Sequence, residues 1–133
     1  MHRFNQLERN MATKGERNDC AVKALAIATR QSYNVAHTAL AMHGRDDRAG
    51  TYPQQTYAAT EMLGFSVREV WNRYDAERGC TVRTVGNKFP KGTYYVHVRG
   101  HILALVNGEV EDWTKGQRRD VLRVSKVEQE EKA

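Results

Sequence analysis

Gly100-His101-Ile102-Leu103-Ala104-Leu105-Val106-Asn107-Gly108-Glu109-Val110-Glu111-Asp112-Trp113 reads as one β-hairpin. His101 to Val106 is a short apolar run with the length of a strand. Asn107-Gly108 is a strong turn signal, because both residues tolerate positive φ. Glu109 to Trp113 then runs back along the first strand. With Asn107 and Gly108 as the two turn residues, Val106 faces Glu109 and Leu103 faces Asp112. His101 becomes the diagonal neighbour of Asp112 on the same face. Diagonal neighbours lie ~7 Å apart between backbones, within reach of an aspartate and an imidazole.

The hairpin sits in a β-rich end. Thr93-Tyr94-Tyr95-Val96-His97-Val98 is a strand, entered from the turn Pro90-Lys91-Gly92. Val121-Leu122-Arg123-Val124 reads as a further edge strand, and Phe65 to Trp71 as an earlier one. Thr81 to Phe89 carries Val82, Val85 and Phe89 at helical spacing, although Gly86 weakens a helix there.

Upstream the periodicity is helical. Asn18 or Asp19 can cap a helix that starts at Cys20, because a short side-chain oxygen satisfies the first free amides. The run Ala21 to Ala28 is alanine-rich and apolar on most faces, which predicts a central, buried helix. Ser32 caps a second helix over Tyr33 to His43, stopped by Gly44. Gly44 to Gly50 is a polar loop. Thr51 and Gln54 read as a capping box around Pro53, opening a third helix that ends at Gly64. Helices first and an antiparallel sheet after is an α+β order. Residues 1–17 are expected to be a polar arm, 18–127 one domain, and 128–133 a charged tail.

The chain has 133 residues, 40% of them hydrophobic, which suits one modest core. Mean hydropathy is −0.73. No apolar run approaches the ~18 residues of a membrane helix. Met1 to Arg9 lacks the apolar stretch of a secretory leader, so a cytoplasmic home and no membrane partner are expected. The net charge of +5 permits nucleic-acid contact without specifying it. Only Lys115 to Arg119 forms a local basic cluster, and no RNA-recognition motif accompanies it, so nucleic acid is a disfavoured partner. Cys20 and Cys80 stand far apart and outside any CxxC spacing. Free thiols are expected, with no zinc or other metal site.

One constellation can do chemistry. Cys20 falls in the first turn of a helix, where exposed amides and the helix dipole lower a thiol pKa. His101, at a strand start just after Gly100, can complete an ion pair and protonate a leaving group. Asp112 can hold the ring and its tautomer. Cys80 reads as structural. Trp113 and Tyr94 are candidates for the wall of a cleft. Trp113 would also shield an Asp112–imidazole contact from water.

The Asn18-Asp19-Cys20-Ala21-Val22 start, the Gly100 to Val106 strand and Asp112 resemble small papain-like cysteine peptidases. They look closest to the C39-like group, which includes peptidases that trim leaders from exported peptides. The small size and the missing leader are also similar to bacteriophage-encoded proteins. The resemblance spans about Asn18 to Trp113. It implies a papain-like α+β fold with N-terminal helices on a C-terminal antiparallel sheet, acting without a cofactor. It implies Cys20 as nucleophile, His101 as general base and acid, and Asp112 as orienter, cleaving a peptide or isopeptide bond or transferring the acyl group. One position departs from the family: Lys14 stands where such peptidases carry a glutamine that binds the oxyanion. Asn18 or Lys14 would substitute, with the Cys20 amide as second donor. That departure also fits a non-catalytic module on the same fold, which in a phage setting would bind and disable a protein in the host cytoplasm.

Overall fold

A computed structural model describes residues 19–45 and 52–130, with residue 5 alone before them. The rest of the arm over 1–17, residue 18, the loop residues 46–51 and the end of the tail therefore lie outside the described residues. Four helices are present among the described residues: α1 (Cys20–Thr29), α2 (Tyr33–Met42), α3 (Pro53–Met62) and α4 (Val82–Lys88). The strands are β1 (Phe65–Asn72), β2 (Thr93–Val98), β3 (His101–Val106), β4 (Glu109–Glu111) and β5 (Val121–Gln129). They form one antiparallel sheet in the order β1-β5-β2-β3-β4. The α+β class is thus as the sequence predicts.

The hairpin has the expected register. Val106 pairs with Glu109 and Ala104 with Glu111. Asn107 and Gly108 take φ of 49° and 80°, the two positive values that such a turn demands. Strand β3 is apolar without alternation because both of its faces are covered. Ile102 and Ala104 join one buried cluster with α1, α2, Ala59, Tyr95 and Val127. Leu103 and Leu105 join the other, with Val82 and Val85 of α4 and with Val96, Val98, Val110, Val121 and Val124. The sheet is a layer between three helices and one.

Helix α1 is the buried centre that its alanines predict: every residue from Ala21 to Thr29 is buried. Ser32 caps α2 by accepting from the Val35 amide at 3.1 Å. Tyr33, Ala36, Ala39 and Leu40 form the buried stripe of α2. The start of α3 differs by one residue from the sequence reading. Tyr52 is the cap and its amide donates to Gln55 Oε1 at 2.9 Å. Pro53 takes the first helical position, so the closing glutamine is Gln55 rather than Gln54. Thr51 lies outside the described residues.

Strand β5 is the larger correction. It is no edge strand: it lies between β1 and β2 and pairs with both. It also runs to Gln129, so residues 128 and 129 of the expected charged tail are strand. Glu128 pairs with Ser66, and its carboxylate lies 3.7 Å from Arg68 and 3.6 Å from Lys126. Val121, Val124 and Val127 are buried, which is why the strand holds a central place.

Gly86 in α4 has a structural reason. A Cβ there would stand 2.1 Å from the Gly108 carbonyl oxygen. The helix packs directly on the hairpin turn, and only glycine permits that approach.

Candidate active site

The N-terminus of α1 meets the start of β3. Cys20 is partly buried against the first apolar cluster. The His101 side chain and the Ile102 backbone are the groups that act on its thiol. His101 Nε2 in turn lies 2.8 Å from Asp112 Oδ2. With Nε2 committed to the carboxylate, Nδ1 is the ring nitrogen left for sulfur. The expected register holds as far as Ala104–Glu111, and Asp112 follows directly on that ladder.

Asp112 is buried, with 4% of its surface exposed. Its Oδ2 also accepts from the Thr114 amide at 3.1 Å and from Thr114 Oγ1 at 2.6 Å. Thr114 has no place among the residues expected at the site. An aspartate followed two residues on by threonine is a local turn pattern, and that signal was legible. The Trp113 ring lies 5.4 Å from the His101 ring, and Trp113 is 49% exposed. Its indole therefore stands beside the imidazole. The Arg119 guanidinium lies 5.0 Å from the centre of the Trp113 ring.

The electrostatics follow from these contacts. Burial pushes the Cys20 thiol up, but the His101 and Ile102 hydrogen bonds and the imidazolium charge outweigh it and hold the thiol below its usual value. Burial likewise works against a charged His101. The Asp112 hydrogen bond, the Cys20 contact and their charges prevail and raise the ring from 6.5 to about 9. The two shifts run in opposite directions, because each group favours the charged form of the other.

Asp19 behaves differently from expectation. It is the residue before the helix, yet its side chain caps no amide. Its carboxylate accepts from Tyr33 Oη at 2.9 Å and lies 3.4 Å from Lys23 Nζ. The pull of Tyr33 and Lys23 explains this, and it leaves the first-turn amides beside Cys20 unused by Asp19.

Tyr94 does not belong to the site. Val98 pairs with His101, whereas Tyr94 pairs with Leu105 at the far end of β3. Tyr94 is buried, donates to the Lys91 carbonyl at 2.8 Å and packs on Phe89. Asn18 and Lys14, the oxyanion candidates, lie outside the described residues. Cys80 is a free thiol packed against the second cluster, and burial raises its pKa. In the basic cluster, Lys115 pairs with Glu109 and Arg119 is engaged by Trp113 and Gln117.

His97, on the neighbouring strand, is held apart from this chemistry. Its Nε2 lies 2.7 Å from Tyr57 Oη, which also contacts Ser125 Oγ at 2.9 Å. Burial, aided by the Arg123 charge, lowers His97 to about 4. Among the described residues no three His, Cys, Asp or Glu side chains form a metal-holding group, and no helix is long and apolar enough to cross a membrane. No family model matches the chain, and no curated protein or solved structure matches it either.

Proposed function

We propose that the chain is a papain-like thiol hydrolase acting on a peptide or isopeptide bond. The reading rests above all on the line from Cys20 through His101 to Asp112, with the thiol lowered and the ring raised. The Cys20 thiolate attacks the acyl carbon and a C–S bond forms. The His101 proton passes to the leaving amine as the C–N bond breaks. Neutral His101 then takes a proton from water, whose oxygen attacks the thioester. The acid departs and sulfur recovers its charge. An amine in place of that water gives acyl transfer by the same residues. Asp112 keeps the ring oriented and stabilises its cation.

The test uses both cysteines of the intact chain. Iodoacetamide labelling is followed against pH and assigned to Cys20 or Cys80 by peptide mass. Cys20 is expected to label at pH 6 at a rate Cys80 reaches only in alkaline solution. The same ordinary profile for both thiols would refute the reading. Peptide and isopeptide substrates then follow, with Cys20→Ala expected to abolish turnover.

Lys14, in place of the oxyanion glutamine, favours a second reading: a binding module that no longer turns over. In that case Cys20→Ala leaves the biological effect intact.

A further inference from the structure

We infer that Thr114 is a positioning residue of this site, setting how firmly Asp112 holds the His101 cation. The inference rests on the thiol-hydrolase reading above. Three donors converge on one carboxylate oxygen: His101 Nε2 at 2.8 Å, the Thr114 amide at 3.1 Å and Thr114 Oγ1 at 2.6 Å. Thr114 is fully buried and Asp112 nearly so, so water cannot replace a lost partner. The hydroxyl bond is the shortest of the three, and bonds to a charged acceptor are the strong ones.

Strand pairing does not hold Asp112 in place. β4 ends at Glu111, and the ladder to β3 ends at the pair Ala104–Glu111. Beyond that point the carboxylate is oriented by its side-chain bonds. The Thr114 bonds close a tight turn over Trp113, so the same residue also fixes the start of the indole that stands beside the imidazole. Without the hydroxyl, Asp112 can rotate about its last torsion and shares His101 less well. The ring then holds its proton less firmly, and the thiol loses part of its activation.

The experiment compares wild type with Thr114→Val, which keeps the shape and removes the hydroxyl, and with Thr114→Ser, which keeps the hydroxyl. Cys20 labelling by iodoacetamide is measured from pH 5 to 10, with Cys80 as an internal reference and the melting temperature recorded alongside. Thr114→Val is expected to slow Cys20 labelling at pH 6 by about tenfold, leave the alkaline plateau in place, and be rescued by Thr114→Ser. A residue that served folding alone would lower the melting temperature without moving the acid limb. If Thr114→Val does not fold, Thr114→Ala at low temperature makes the same comparison. An activated wild-type thiol with an unmoved acid limb in Thr114→Val overturns the role of Thr114 and leaves the thiol pair standing. An ordinary wild-type profile overturns both.

Discussion

His97 and His101 sit four positions apart at one end of the same sheet, and their chemistry points in opposite directions. His101 is raised to about 9 and His97 is lowered to about 4. Burial disfavours the cation at both. At His101 a carboxylate and a thiol answer that cost. At His97 the polar neighbours are a phenol hydroxyl, Tyr57 at 2.7 Å, and the repelling Arg123 charge. The two cysteines repeat the lesson. At Cys80 burial prevails over the nearby Lys88 charge, and at Cys20 an imidazole and a backbone amide prevail over burial. Neighbours, and not depth, separate Cys20 and His101 from Cys80 and His97.

That contrast can be broken by substitution. The largest effect is expected from His101→Ala. Without the imidazole, the Ile102 backbone alone opposes burial and the Asp112 charge at Cys20, and labelling at pH 6 should fall about 100-fold while Cys80 is untouched. A rate within a factor of two of wild type would mean that the helix start, not the ring, activates the thiol.

His97 should govern acid stability. Above about pH 6.5 the residue is neutral in both folded and unfolded chains and carries no penalty. Between 6.5 and about 4 the unfolded chain takes up a proton that folded His97 refuses, so stability falls as pH falls. Below that range both states are protonated and the loss is complete. His97→Gln should therefore lose about 2 kcal/mol less than wild type between pH 7 and 4, read by urea denaturation. Parallel curves for the two proteins would erase the distinction between the histidines.

Asp112→Asn keeps the shape at Oδ2 and removes the charge. Labelling of Cys20 at pH 6 should drop about tenfold, with the acid limb moved upward. An unmoved limb would assign the activation to geometry alone. The smallest effect belongs to Tyr57→Phe, which strips the hydroxyl shared by His97 and Ser125. It should cost about 1 kcal/mol of stability in urea and leave Cys20 labelling unchanged. A change in labelling would show that the His97 and His101 sites are coupled through β2.

Much of this was legible locally. The Asn107-Gly108 turn dictated the pairing of β3 with β4, and that pairing carries the chain as far as Glu111, one residue before Asp112. The alanine run after Cys20 announced a buried helix. What escaped was non-local. The burial of β5 between β1 and β2 is decided by strands far apart in sequence, and a four-residue pattern at Val121 cannot state its neighbours. Tyr94 looked like a cleft residue because aromatic side chains serve core and cleft alike; its strand position places it at the wrong end. Asp19 looked like a capping side chain until Tyr33 and Lys23 competed for it. Thr114 was missed for a simpler reason, since its turn pattern was local and was not weighed.

Strand β5 also has a consequence in time. β2, β3 and β4 follow one another as a meander and close over short distances along the chain. β1 pairs with none of them; its partner is β5, through pairs such as Phe65 with Gln129. The sheet is two fragments until the last described strand arrives to join them. Pairings at such separation are slow to form and leave exposed edges while they wait. On a chain emerging in order from its N-terminus, the His101–Asp112 hairpin can assemble early, while β1 stays an open edge until its partner is made.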